Sequence, residues 1–166
     1  ADIGATTIAL TDGSGSSDSV TVNLGNGKGN AHETGALTVN KFETLNINTQ
    51  PKVGSNLTSV IDSLTADKVT TINITGTNKG SVTITDAAVT KATTYDATTL
   101  PGLLTLGGNL IAGSTVKGSE GKDVITLGTV GSTYNGNGAN DSFSGTAITV
   151  IESSSVWNTI DGGAGT

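Results

Sequence analysis

The 166-residue chain is long enough to bury one continuous apolar core, but with 24 glycines and only 3% aromatic residues that core must be built from Val, Ile, Leu and Ala. Fourteen acidic residues against eight lysines give a net charge of −6. That field attracts cations and offers no guanidinium forks to phosphate, which argues against nucleic acid as a partner. Cysteine and methionine are absent, as suits an exposed, oxidising location, and no run nears the ~20 apolar residues of a membrane-spanning helix, so membrane insertion is not expected.

Short bursts of alternating apolar and polar residues, separated by Gly and Asn clusters, predict strands joined by tight turns. The first burst, Val20-Thr21-Val22-Asn23-Leu24, follows a polar turn at residues 13–18 and precedes Gly25-Asn26-Gly27-Lys28-Gly29-Asn30. Leu37-Thr38-Val39 and Glu43-Thr44-Leu45-Asn46-Ile47 come next. Leu57, Val60, Ile61 and Leu64 then fall at i, i+3, i+4 and i+7, which predicts a short helix capped by Ser55-Asn56.

Beyond it the chain repeats itself. Thr70-Thr71-Ile72-Asn73-Ile74-Thr75 and Gly80-Ser81-Val82-Thr83-Ile84 return as Thr93-Thr94-Tyr95-Asp96-Ala97-Thr98 and Gly102-Leu103-Leu104-Thr105-Leu106, offset by 23 (93 − 70) and 22 (102 − 80) residues. Coils of roughly 20 residues predict a solenoid of stacked parallel strands. The Asn-Gly steps at 26–27 and 135–136 are hairpin signals, which keeps an antiparallel sandwich open for the first half.

Two glycine-and-aspartate turns follow, Gly118-Ser119-Glu120-Gly121-Lys122-Asp123-Val124-Ile125-Thr126 and Gly136-Asn137-Gly138-Ala139-Asn140-Asp141-Ser142-Phe143-Ser144. Their aspartates are 18 residues apart (141 − 123), two nonapeptides. The nine residues between them keep the register, with Tyr134 at the apolar position and Ser132 where an aspartate would stand. Residues 161–166 read as the opening of another such unit, cut before its aspartate, so the chain is expected to be a piece of a longer protein.

These units resemble the G-G-x-G-x-D-x-U-x nonapeptide of RTX (repeats-in-toxin) proteins. Residues 118–126 depart at Ser119, and residues 136–144 at Asn137 and Ala139. The resemblance implies an all-β parallel β-solenoid, or β-roll, whose turns bind Ca2+. Asp123 and Asp141 would supply carboxylates, and the carbonyls of Gly118, Glu120, Gly136 and Gly138 much of the remaining oxygen shell. A distant copy places Asp18 in register before Val20, where a plain polar turn is an equal alternative.

Residues 1–110 are expected to form a Thr/Val-rich strand-repeat region and residues 111–166 the RTX-like segment. The threonine-rich strands also resemble RTX-type surface-layer (S-layer) proteins. That likeness implies type I secretion, folding on external calcium, a place on the cell surface, and partners that are further copies of the chain or cell-surface polysaccharide. No enzyme is expected. His32, the only histidine, has no nucleophile elbow to serve, nothing in the spacing pairs Glu33, Glu43, Glu120 or Glu152, and Trp157 and Tyr134 suit a core or rim better than a sugar platform. Two alternatives remain: an adhesin or ice-binding module, the latter wanting Thr-x-Thr ranks that this chain lacks, and an accessory repeat domain of a secreted enzyme.

Overall fold

The computed structural model describes residues 4–25, 27, 32–91, 93–128, 131–145 and 157–165. Its strands alternate between two faces of a coil. The odd strands β1 (Thr6–Ala9), β3 (Glu33–Asn40), β5 (Thr58–Ala66), β7 (Ser81–Val89), β9 (Leu104–Leu106), β11 (Val124–Thr126) and β13 (Ser142–Ser144) stack in chain order in one sheet. The even strands β2 (Ser19–Leu24), β4 (Thr44–Thr49), β6 (Thr71–Gly76), β8 (Thr94–Asp96), β10 (Thr115–Lys117), β12 (Thr133–Asn135) and β14 (Thr159–Asp161) stack in the other.

Every strand pair among the described residues is parallel, which makes the molecule a β-solenoid and removes the antiparallel sandwich. The second Asn-Gly step makes no hairpin: Asn135 ends β12, and the Gly136 N–H bonds the Asp161 carbonyl one coil on, at 2.8 Å. Of the first step, Asn26 lies outside the described residues, while the Gly27 N–H reaches the Gln50 carbonyl of the next coil at 2.9 Å.

Alternation sends one side chain in two to the core. Leu45, Ile72, Tyr95, Val116 and Tyr134 form a fully buried column behind the even sheet, and Ile61, Ile84, Leu106 and Ile125 one behind the odd sheet. Each such aliphatic side chain contributes roughly 1.5–3 kcal/mol. The offsets of 23 and 22 residues are the observed registers Thr71 with Thr94 and Val82 with Leu104.

The helix expected at residues 57–64 is strand β5. Its apparent helical spacing comes from a change of phase within the strand: Ile61 and Leu64 are both buried although three residues apart, because Asp62 is skipped in the pairing. β3 does the same between Thr34 and Leu37, and β7 between Ile84 and Ala87. Ser55 bonds backward to the Lys52 carbonyl and caps nothing.

β9 stops at Leu106 and lacks this second arm. Coil length accordingly falls from 27 residues (64 − 37) at Leu37 and Leu64 to 18 (143 − 125) at Ile125 and Phe143. Both sheets run unbroken past residue 110, through the pairings of β8 with β10 and β9 with β11.

Facing outward on the even sheet, Ser19, Thr44, Thr71, Thr94, Thr115, Thr133 and Thr159 stand in register, one hydroxyl per strand. Beside them runs a mixed rank of Thr21, Asn46, Asn73, Asp96, Lys117, Asn135 and Asp161. Within it Asn73 donates to Asn46 at 2.8 Å, and Lys117 pairs with Asp96 at 2.9 Å.

The two tyrosines of the core differ. The Tyr134 hydroxyl accepts the Gly128 N–H at 2.8 Å, whereas the buried Tyr95 hydroxyl has no partner, and burial together with the nearby Tyr134 pushes that phenol's pKa up. Tyr95→Phe is therefore expected to leave stability unchanged or raise it by about 1 kcal/mol, and Tyr134→Phe to lower it by about 1–2 kcal/mol by stranding the Gly128 N–H. Chemical denaturation of the two variants checks the difference in sign.

Candidate metal centre

The two glycine-aspartate turns do come together. Val82 faces Leu104 across the odd sheet, and Asp123 and then Asp141 continue that column, each just ahead of its strand. Asp123 thus occupies an inward position and is 0% exposed. The Asp141 carboxylate reaches back 18 residues, its Oδ1 accepting the Asp123 N–H at 2.9 Å.

The carboxylate of Asp123 already accepts three hydrogen bonds from the protein. Its Oδ1 accepts the Leu104 N–H of the preceding coil at 2.7 Å and the Ser119 hydroxyl, and its Oδ2 accepts the Ser119 N–H at 2.6 Å. Burial raises its pKa above the ordinary 3.8; the bonds from Ser119 and Leu104 oppose the rise, and the charge of Asp141 adds to it. Desolvation of the charged form outweighs the hydrogen bonds here.

One coil on, the same pattern is incomplete. The counterpart of Ser119 is Asn137, whose backbone is left-handed (φ 68°) and whose N–H goes to the side chain of Asn135 at 2.8 Å. Asp141 Oδ2 therefore receives neither bond that Ser119 gives Asp123, and it is buried with no partner.

Glycine makes room for both carboxylates. A Cβ on Gly118 would collide with Asp123 Oδ2 and stand 2.5 Å from the Gly136 carbonyl oxygen. One on Gly136 would collide with Asp141 Oδ2 and stand 2.8 Å from the Gly162 carbonyl oxygen. In each coil a carboxylate oxygen and the carbonyl oxygen of the next coil crowd over a glycine Cα. The Gly138 N–H bonds the Ser119 carbonyl at 3.2 Å, and exposed Glu120 lies alongside, its carboxylate accepting the Asn137 side-chain amide at 3.3 Å.

For a cation these levels are not equal. Asp141 Oδ2 and the Gly162 carbonyl are hard oxygen donors of the kind calcium takes, and one of them is an orphaned anionic oxygen. Asp123 does not fit in the same way, because three donors already point at its lone pairs. Among the described residues no three acidic or histidine side chains converge on one point, so water and backbone carbonyls would have to complete any shell at Asp141.

Asp18 is not part of this arrangement. It precedes β2, at the opposite end of the stack, with its carboxylate folded over Gly15 and its N–H bonded to the Glu43 carboxylate at 2.9 Å. Of the aromatics weighed as a sugar platform, Tyr134 is fully buried and Trp157 is exposed; Glu152 lies outside the described residues.

Sequence spacing missed a second ladder, on the even side. Thr93, Ser114, Ser132 and Asn158 each stand just ahead of an even strand; the Thr93 N–H bonds Ser114 Oγ at 3.1 Å, and the Ser132 N–H bonds Asn158 Oδ1 at 2.9 Å. Ser132, the residue in place of an aspartate, is buried and its hydroxyl bonds the Ile111 carbonyl at 3.4 Å. The signal for it is one short polar residue directly before each Thr-x-Asp, Thr-x-Lys or Thr-x-Asn strand. No protein-family model, characterised protein or solved structure matches this chain.

Proposed function

We propose that the chain is a structural, non-enzymatic segment of a secreted bacterial surface protein of the RTX-type S-layer kind, held on the cell exterior and assembling with further copies of itself in the presence of Ca2+. The observation that carries the calcium part is the orphaned, buried Asp141 Oδ2 beside the Gly162 carbonyl. The acidic charge and the parallel coil support a cation that bridges successive turns. Binding to the folded turns alone adds to folding free energy, by about 2.7 kcal/mol at a hundredfold excess over Kd, and extracellular sites of this type have Kd on the order of 10⁻⁴ to 10⁻³ M.

Thermal unfolding followed by circular dichroism tests this. Calcium at about 10 mM, roughly ten- to a hundredfold over such a Kd, is expected to raise the midpoint by about 3–10 °C over excess chelator, and Asp141→Asn to abolish the rise. Identical melting in calcium and chelator would sink the calcium part. Self-assembly is read separately, from calcium-dependent arrays or filaments.

The unbroken rank of seven outward hydroxyls favours a second reading, a binding module for extended polysaccharide; its neighbouring Asn, Asp and Lys rank is too mixed for an ice-matching face. Thr94→Glu with Thr133→Glu, two strands apart in the rank, is expected to cut retention on immobilised surface glycan about tenfold while leaving melting unchanged. Equal retention would remove this reading.

A further inference from the structure

We infer that Asp123 and Asp141, one coil apart in the same column, serve different ends: Asp123 is an ion-independent acceptor that ties β11 to β9, and the response to cation rests on Asp141 alone. The Asp141 half rests on the calcium reading above. The Asp123 half stands on hydrogen bonds.

The difference traces to the residue after each turn glycine. Ser119 turns both its N–H and its hydroxyl onto Asp123, and Leu104 adds a third donor from the preceding coil. A cation approaching those oxygens would face the positive ends of three donors and would have to break bonds in a site with no exposure to water. Asn137 gives Asp141 no such cover: its N–H is taken by Asn135 and its side chain by Glu120. Asp141 therefore uses Oδ1 to hold the Asp123 N–H and keeps Oδ2 free.

The consequence is a graded molecule. Coils as far as β11 keep their structure without calcium, while the level of β13 gains order from it. Ser119, which departs from the glycine of the repeat, is the residue that makes its coil independent of the ion.

Hydrogen exchange on the full chain, in excess chelator and in millimolar calcium, separates these roles. In chelator the Leu104 and Ser119 amides are expected to exchange slowly, with calcium changing them less than about twofold, while amides of residues 136–145 slow about tenfold on adding calcium. Asp141→Asn should erase that slowing and leave Leu104 protected. Ser119→Ala, a milder change than any at Asp123, should speed exchange at Leu104 in both conditions without altering calcium affinity.

Tenfold calcium protection of Leu104 and Ser119, or a calcium response that survives Asp141→Asn, would overturn the division. If no amide responds to calcium, the calcium reading and the Asp141 half fall together. Rapid exchange at Leu104 in chelator would overturn the Asp123 half whatever calcium does.

Discussion

Asp123→Ala is expected to lower the unfolding free energy in chelator by about 3–5 kcal/mol, because three donors lose their acceptor in a buried site. Those donors are the Leu104 N–H, the Ser119 N–H and the Ser119 hydroxyl, and Ser119 is itself fully buried. For a chain of this size the thermal midpoint should fall by roughly 10 °C. Asp123→Leu is the informative companion. Leucine would extend the apolar column of Val82 and Leu104, yet it strands the same donors, so it too should melt well below the parent. A leucine variant as stable as the parent would show that the position only needs filling.

The same carboxyl sets a pH dependence of defined sign. Its folded pKa lies above the ordinary 3.8, mainly through burial, against the bonds from Ser119 and Leu104. A carboxyl raised on folding binds its proton more tightly in the folded state. Its contribution to stability is therefore fully present below the unfolded pKa and is lost as pH rises through the folded one. In chelator the parent should lose stability on going from about pH 4 upward through that window relative to Asp123→Asn, which cannot titrate. A constant difference between the two across the window would contradict the assignment.

Much of the coil was legible because parallel stacking leaves a direct trace: the Thr70 and Thr93 segments repeat at the distance at which Thr71 and Thr94 pair. The stripe of Leu57, Val60, Ile61 and Leu64 misled because a strand that changes phase in its middle puts buried residues three apart, as a helix does. The aspartate register was readable from nonapeptide spacing, which places Asp123 beside Asp141. What each carboxylate touches was not. Hydrogen bonds from Leu104 and Ser119 depend on how neighbouring coils face each other, and spacing along one coil is silent on that. Ser119 looked like a lapse from glycine, yet it donates two of the three bonds that hold Asp123.

Gly118→Ala and Gly136→Ala should each cost about 2–3 kcal/mol through overpacking, although alanine is ordinarily the more stabilising residue. Neither glycine has the positive φ that would make the backbone the cause. The cause is what stands over the Cα. At Gly118 the new Cβ would meet Asp123 Oδ2 and, at 2.5 Å, the Gly136 carbonyl oxygen, which is backbone and cannot swing aside. At Gly136 it would meet Asp141 Oδ2 and, at 2.8 Å, the Gly162 carbonyl oxygen. Gly162 supplies the internal control: it holds the same place in the stack, after β14, and has nothing within 4 Å of its Cβ position. Gly162→Ala should therefore be neutral, or stabilise by up to about 1 kcal/mol through the unfolded chain. Gly136→Ala should also weaken calcium binding by displacing Asp141 Oδ2, whereas Gly118→Ala should act on stability in calcium and chelator alike. Denaturant titration of the three variants in both media checks the ranking, and equal behaviour of Gly118→Ala and Gly162→Ala would mean that the carboxylates have room to move.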